Sequence, residues 1–282
     1  MATIDIHPSE IAYGFSYARV SDVVGWGIGP FLPPTPEDGP LDAWLIGGED
    51  RLIAAGRPGR PCGTGPAARR RLTGAREAGL HLDASLTAAI LALAAPEVVL
   101  LAQRKAGKGM RKMTVHCAGD DFIGLMLRGD GMFEMTRYAD LVAASGACAG
   151  FVGAGIDPQE SEARVETDAA GMARVMERAR SGDTGGTALM LGRMGLGAVD
   201  AQSAAQALVA PAASGVVSAM YCRMNAVVDV ETYSVLTDGE DRTWVIFAPA
   251  GAEGPTILEL SSASGLTARV AVGVVARSVP AG

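Results

Sequence analysis

The chain has 282 residues, of which 49% are hydrophobic and 20% are charged, so it is long enough for one large domain or two of ordinary size. This apolar content excludes a chain that is disordered throughout, because a sizeable core can form. The formal net charge of -7 opposes general binding to polyanions, since phosphate-binding surfaces need an excess of Lys and Arg.

Loops, two helices and a series of strands are predicted in the first half. Residues 31–40 and 56–66 are rich in Pro and Gly and are expected to be loops. A helix over residues 86–95 follows Asp83, a candidate N-cap, and ends before Pro96. The next segments alternate between strand and turn, and residues 138–149 have the composition of a helix. The predicted strands are residues 98–103, 113–117, 122–127 and 132–135, with turns at 119–121 and 129–131.

The second half follows the same order of elements. A softer break at residues 150–162 divides the chain into residues 1–155 and residues 156–282. A segment from Leu189 ends at Gly195-Leu196, and Asp200 is the candidate N-cap of an Ala-rich helix over residues 201–210. Pro211 ends that helix, and a final helix is predicted over residues 266–275. The strands between them are residues 216–222, 227–236, 244–247 and 256–260, with Asp238-Gly239 as a hairpin turn.

The spacing of corresponding positions indicates an internal duplication. Gly79 and Gly195 are 116 residues apart, and Pro96 and Pro211 are 115 apart. A nearly constant offset across a whole helix, together with the repeated order of elements, is typical of an internal repeat. We therefore predict an α+β fold of two pseudo-symmetric halves, each a mostly antiparallel meander with Ala-rich helices.

Residues 67–101 carry a family resemblance. An Arg- and Ala-rich segment ends at Gly79-Leu80, a helix opens after Asp83, and a Leu-Ala-Ala-Pro-Glu run at residues 93–97 leads into strand residues 98–100. This pattern resembles the EspG family, the cytosolic chaperones of type VII (ESX) secretion. The resemblance implies a fold of two quasi-twofold halves and a function without an active site, which is to hold a helical PE–PPE pair soluble until export.

The sequence does not contain the common motifs of hydrolases, nucleotide-binding enzymes or metal sites. No serine lies in a Gly-x-Ser-x-Gly frame, and Gly107-Lys108 lacks the first glycine of a phosphate-binding loop. The histidines have no His or Cys ligand partner at helical spacing, and the paired acids fall in predicted turns. The residues concerned are His7, His81, His116, Asp120, Asp121, Glu240 and Asp241. We therefore expect no catalytic residue, no metal and no cofactor.

The cysteines and the chain start indicate a cellular compartment. The four cysteines are far apart and form no Cys-x-x-Cys pair, which favours reduced thiols over a zinc ribbon or a disulfide framework. They are Cys62, Cys117, Cys148 and Cys222. The first ten residues lack the cationic and apolar runs of a secretory signal, and Pro96 and Glu97 interrupt the most apolar window. A cytoplasmic protein without a membrane span is expected.

Positive charge is concentrated in one segment. Residues 57–112 hold eleven Lys and Arg but three acids, and all three lysines of the chain lie within residues 105–112. One interpretation is a mobile loop that docks an acidic protein partner, with the adaptable Met110 as an apolar contact. The other is a solvated hairpin tip whose cations keep a sheet edge from pairing. The candidate partner-binding residues are Lys105, Lys108, Met110, Arg111 and Lys112.

Three classes of function therefore compete. The first is a non-catalytic chaperone or adaptor for a protein partner, expected to be helical and to carry an acidic patch. The alternative is a small-molecule enzyme with a site in the N-terminal third, where Tyr13, Tyr17, Trp26 and Trp44 concentrate, or another protein-interaction module. Specific nucleic-acid binding ranks last because residues 57–112 contain no aromatic side chain for base stacking. The oligomeric state and the role of residues 1–66 stay open.

Overall fold

A computed structural model describes the chain over residues 2–6, 89, 92–93, 95–106, 109–128, 133–155, 163–223, 226–248 and 254–278, with the backbone alone for residues 2–6. The predicted loops at residues 31–40 and 56–66, and the turn at residues 129–131, lie outside these residues.

Ten strands and five full helices are found among the described residues. The strands are β1 (Ala2–Ile6), β2 (Val98–Ala106), β3 (Gly109–Ala118), β4 (Asp121–Leu127), β5 (Phe133–Tyr138), β6 (Arg164–Thr167), β7 (Ala213–Arg223), β8 (Ala226–Thr237), β9 (Thr243–Phe247) and β10 (Thr256–Ser261). The helices are α1 (Leu141–Val152), α2 (Ala169–Arg180), α3 (Thr184–Arg193), α4 (Ala198–Val209) and α5 (Ala263–Ser278). No helix of the described residues is both long and apolar enough to cross a membrane.

The strands form a sheet with the order β1-β5-β4-β3-β2-β7-β8-β9-β10-β6. Pairing is antiparallel between β1 and β5, β4 and β5, β8 and β9, β9 and β10, and β6 and β10. The fold class predicted from the sequence, α+β with a mostly antiparallel sheet, is therefore confirmed. The strand order reads alike from both ends when β1 is matched with β6 and β2 to β5 with β7 to β10. The duplication, and the division into residues 1–155 and 156–282, stay predictions.

All eight strands predicted from the sequence are present, as β2 to β5 and β7 to β10. The predicted helix over residues 138–149 begins later, at Leu141, because Tyr138 still pairs with Phe122 at the end of β5. Of the predicted helix 86–95, the structure describes four residues: Ala89, Ala92 and Leu93 are helical, whereas Ala95 lies in a bend. The final helix is confirmed and is longer than predicted.

Residues 163–188 contain elements that the sequence analysis left unassigned. These are the short strand β6, the helix α2 and the first half of α3. Both helices have an Asp N-cap: Asp168 accepts a hydrogen bond from the backbone N–H of Gly171 at 2.6 Å, and Asp183 accepts one from Gly186 at 2.7 Å. An Asp at this position satisfies a backbone donor that has no partner within the helix.

The segment predicted to end at Gly195-Leu196 is the C-terminal part of α3 and the turn that follows it. Gly195 has a positive φ of 115°, its N–H bonds to the carbonyl of Gly192, and the N–H of Leu196 bonds to the carbonyl of Leu191. This pair of bonds is the Schellman motif, which favours glycine because other residues are strained at positive φ. Leu191 and Leu196 are both buried in the same core cluster, so the motif also packs.

The prediction that Asp200 caps the next helix is wrong. The N-cap of α4 is Gly197, and Asp200 lies in the first turn, where it accepts a hydrogen bond of 2.5 Å from Arg242. A carboxylate in the first turn still interacts favourably with the helix dipole, so Asp is suited to this position without capping. The connection after β8 begins at Asp238 as predicted, but it runs to residue 242 and is longer than a two-residue turn.

The chain divides into two compact units. The first contains residues 1–99, 114–140 and 221–228, and the second contains residues 100–113, 141–220 and 229–282. Buried side chains of the first unit include Val115, Ile123 and Leu125, which lie on β3 and β4. In the second unit, α2, α3 and α4 pack against β6, β9 and β10. Their core includes Val165, Met172, Val175, Leu191, Ala204, Trp244 and Leu258.

Candidate interaction surfaces

The hairpin of β2 and β3 carries four of the five residues predicted to bind a partner. Lys105 lies in β2, and Met110, Arg111 and Lys112 lie in β3, whereas Lys108 is outside the described residues. The prediction of an eight-residue loop over residues 105–112 is therefore wrong. Strand β2 continues to Ala106, and β3 already begins at Gly109. Strand pairing uses backbone groups, so it tolerates cationic side chains at a solvated hairpin end. The assignment to partner binding stays a prediction.

The exposed end of this hairpin has two uncovered faces. Gly109, Met110 and Arg111 are all exposed, and successive strand residues point to opposite faces. The side chain of Met110 is 61% exposed. All five residues from 113 to 117 are buried, so the boundary falls at the half-buried Lys112. Burial there lowers the pKa of the Lys112 ammonium group.

The helix α1 contacts both strands of the hairpin within the second unit. The guanidinium of Arg111 lies over the ring of Phe151, 5.9 Å from its centroid. Arg104 donates a hydrogen bond of 3.3 Å to the carbonyl oxygen of the same phenylalanine. Both contacts fall in the last turn of α1, where unpaired carbonyls attract cations. The direction of the hairpin is therefore held by side chains as well as by strand pairing.

A second exposed hairpin end, formed by β7 and β8, was missed as a binding surface in the sequence. The first five residues of β8 are all exposed, and they include Val227 (44% exposed), Val228 (63%) and Val230 (49%). Their connection to β7 is residues 224–225, which are 117 positions after residues 107–108. This offset is close to the 116 residues between Gly79 and Gly195. If the internal repeat is extended to the hairpins, it therefore predicts a second exposed hairpin end at this position of the second half.

Two side chains of types that often take part in catalysis, His116 and Cys117, are buried on β3. His116 is fully buried, its Nε2 lies 3.1 Å from the hydroxyl of Thr114, and burial lowers its pKa to about 3. Cys117 is buried beside it along the strand, and burial, with Glu97 nearby, raises the pKa of its thiol to about 12. A neutral imidazole and a protonated thiol are poor as acid and nucleophile at neutral pH. His7, His81 and Cys62 lie outside the described residues.

Three of the four paired acids lie in turns or connections between strands, and Asp121 lies at the start of a strand. Asp120 lies in the turn after β3, and Asp121 begins β4 and pairs with Arg137 of β5. Glu240 and Asp241 lie in the connection between β8 and β9. Within the described part of the chain, no group of three His, Cys, Asp or Glu side chains is placed to hold a metal ion. Cys117, Cys148 and Cys222 are free thiols.

Comparison with known proteins shows a likeness in structure. No protein-family model matches the sequence, and no curated protein matches it. The structure is similar to that of the type VII secretion system chaperone EspG5 of Mycobacterium tuberculosis, solved in complex with the PE25–PPE41 dimer. The two chains share 15% sequence identity and a TM-score of 0.61, over 100% of this chain and 98% of the other. The likeness shows that this chain has the same fold as EspG5.

Proposed function

We propose that this protein is a non-catalytic, cytoplasmic chaperone or adaptor that binds a helical secretion substrate of the PE–PPE type and keeps it soluble. The observation that carries the proposal is the full-length fold likeness to EspG5, a chaperone solved with such a dimer. The sequence pattern of residues 67–101 points to the same family independently of the coordinates.

The β2–β3 hairpin suits the first contact with an acidic partner. It presents Lys105 and Arg111 at an exposed end, in a chain whose formal net charge is otherwise negative. Local cations steer an acidic surface during diffusion and fix its orientation, although they add less to the final affinity. Met110 adds an unbranched apolar side chain that adapts to different contact surfaces.

The exposed valines of β8 suit an apolar helical surface. Val228 and Val230 lie two residues apart on one strand, so their side chains share a face of the sheet. Together with Val227 they leave three branched apolar side chains in contact with water. Covering such side chains gains about 25 cal/mol per Å² of apolar surface. A partner that exposes an apolar helix face when alone would gain from the same contact.

Co-expression tests the proposal. We expect a PE–PPE pair that is insoluble alone to become soluble with this protein and to elute with it as one species in size-exclusion chromatography. Replacing Val228 and Val230 with Asp should weaken that complex at least tenfold, because two charges would then be buried against an apolar surface.

The matched control is Val142→Asp, since Val142 of α1 is also exposed, at 60%. This variant should retain binding and the same thermal stability as the wild type. The proposal is wrong if the folded protein forms no complex with any PE–PPE pair tested. If the variant with Asp at both Val228 and Val230 binds as tightly as the Val142→Asp control, the exposed valines of β8 do not contact the partner.

A further inference from the structure

The strand β6 lies at one end of the sheet. It pairs with β10, and among the described residues no further strand lies beyond it. The end strand of a sheet carries a row of backbone N–H and C=O groups on its outer side, and such a row can pair with a strand of another chain. The register of β6 with β10 fixes which of its backbone groups point outwards.

The outward backbone groups of β6 belong to Arg164 and Glu166. The carbonyl oxygen of Ala163, just before the strand, accepts a hydrogen bond of 2.9 Å from the N–H of Leu260. Bonded positions alternate along an antiparallel pair, so Val165 also bonds to β10, whereas Arg164 and Glu166 direct their backbone groups away from it. Within the described residues, the structure shows no hydrogen-bond partner for these two N–H and two C=O groups.

The side chains of β6 divide between a covered face and an open face. Val165 is 1% exposed and belongs to the core formed with α2, α3 and α4. Arg164 and Glu166 point to the opposite face, and their side chains are 45% and 55% exposed. They lie 3.4 Å from each other, and Arg164 also lies 3.9 Å from Glu259 of β10. The open edge therefore carries one cation and one carboxylate, two residues apart.

This edge is complementary to a second copy of itself. If two copies of β6 pair antiparallel about a two-fold axis at Val165, Arg164 of one copy lies directly opposite Glu166 of the other. The outward backbone groups of both residues then face each other, and four hydrogen bonds between N–H and C=O groups form across the axis. Each arginine also gains a second glutamate as a neighbour, and opposite charges at facing positions stabilise a strand pair.

Other pairings of the same edge are less favourable. Moving the register by two residues in either direction places Arg164 opposite Arg164, or Glu166 opposite Glu166. Like charges at directly facing positions destabilise a strand pair. Charged side chains and short length also keep an edge strand from pairing with unrelated apolar strands. The charges of β6 therefore favour one partner, an antiparallel copy of the same strand, in one register.

We propose that this protein self-associates through β6, so that two sheets join into one continuous sheet across a two-fold axis. A two-fold contact uses the same surface of both copies, so association stops at the dimer. A four-residue edge forms a small interface, and we therefore expect a dimer that dissociates on dilution. The edge is separate from both hairpin ends, and the proposal does not depend on the chaperone function proposed above.

Sedimentation velocity over a hundredfold range of protein concentration tests the proposal. The wild type should pass from monomer to dimer as the concentration rises. Glu166→Arg places cations opposite cations and should weaken the dimer at least tenfold. The control Glu240→Arg makes the same change of charge at an exposed position between β8 and β9, so its dimer affinity should stay within twofold of wild type.

Three outcomes of this experiment would overturn the proposal. The first is a wild type that stays monomeric at every concentration, and the second is a wild type that forms species larger than a dimer. The third is equal dimer affinity in the Glu166→Arg and Glu240→Arg variants.

A mixture of two variants tests the register directly. Arg164→Glu gives an edge with two carboxylates, whereas Glu166→Arg gives an edge with two cations. Each variant alone should dimerise at least tenfold more weakly than the wild type, but the mixture should form a heterodimer with an affinity within about threefold of it. Two folded variants that form no heterodimer would overturn the pairing about Val165.

A proline variant keeps the test decisive if Arg164→Glu does not fold, since Glu259 lies beside that position. Glu166→Pro removes one outward N–H, and proline is tolerated in an edge strand where the N–H faces solvent. The folded variant should dimerise at least tenfold more weakly than the wild type. Unchanged dimer affinity would overturn the proposal.

Discussion

The hydroxyl of Ser203 donates a hydrogen bond of 2.5 Å to the carboxylate of Asp238 and so joins α4 to the connection after β8. Ser203 also accepts a hydrogen bond of 2.9 Å from the indole N–H of Trp244. The backbone N–H groups of Glu240 and Arg242 bond to the other oxygen of Asp238, both at 2.9 Å. Asp238 is 1% exposed, so this carboxylate is buried but well supplied with donors.

Ser203→Ala should destabilise the protein strongly. The substitution leaves the buried indole N–H of Trp244 without its acceptor and removes one donor from Asp238. Unpaired buried groups of this kind cost about 2–4 kcal/mol in total, more than the average hydrogen bond contributes. Urea unfolding measures the change, and Gln202→Ala, on the exposed side of the same helix, should change stability by less than about 0.5 kcal/mol. Equal stability of the two variants would contradict this account.

Two glycines should respond to alanine in opposite directions. A Cβ on Gly215 would lie 2.8 Å from the Cβ of Val152 and 2.9 Å from the backbone oxygen of Gln103, whereas a Cβ on Gly192 would meet nothing within 4 Å. Gly215→Ala forces the packing of β7 against α1 apart and should cost about 1–3 kcal/mol. Gly192→Ala, within the exposed face of α3, should stabilise by about 0.5–1 kcal/mol. Thermal unfolding of both variants gives the two signs directly. A stable Gly215→Ala variant would show that the contacts at Gly215 do not matter, and a destabilised Gly192→Ala variant would contradict the prediction for α3.

His116 should make the protein less stable in acid. Its folded pKa is lowered to about 3 from 6.5, so the unfolded chain binds more protons between these values. Stability is then complete above pH 6.5 and is lost as the pH falls below it, by about 1.4 kcal/mol per pH unit. Urea unfolding at pH 7.5, 6.5 and 5.5 should show this loss in the wild type. In His116→Gln the loss over the same range should be much smaller, and parallel curves would rule out His116 as its origin.

Cations of the β2–β3 hairpin should affect the rate of complex formation more than the stability of the protein. Changing Lys105, Lys108, Arg111 and Lys112 together to Ser should slow association with an acidic partner and flatten its dependence on salt. Replacing the exposed Lys105 and Arg111 should change the free energy of unfolding by about 0.5 kcal/mol or less at each position. Stopped-flow measurements at two salt concentrations test the rate. The control replaces three exposed arginines of α2 and α3 with Ser: Arg174, Arg180 and Arg193. If both sets of substitutions slow association equally, the effect is due to the net charge of the protein and not to the hairpin.

Local patterns were sufficient for the strands and for one helix end. The strands β7 to β10 are short runs of β-branched and aromatic residues between turn residues, and such runs are recognised without knowledge of their partners. Gly195-Leu196 ends α3 through bonds within six consecutive residues, so its cause is also local. The Asp N-caps at Asp168 and Asp183 were equally local signals, and α2 could have been predicted from them.

The sequence by itself determined the α+β class, the antiparallel meanders and the positively charged segment, because these depend on composition and on contacts between neighbours in the chain. Tertiary structure alone decided which polar groups meet. Ser203 and Asp238 are 35 residues apart in the sequence. Arg164 and Arg269 are 105 residues apart, and both line one cavity of the second unit. It also decided that residues 105–112 are mostly strand, since a neighbouring strand pairs with their backbone whatever side chains they carry. Such pairings depend on register and packing between distant segments, which periodicity within one segment does not contain.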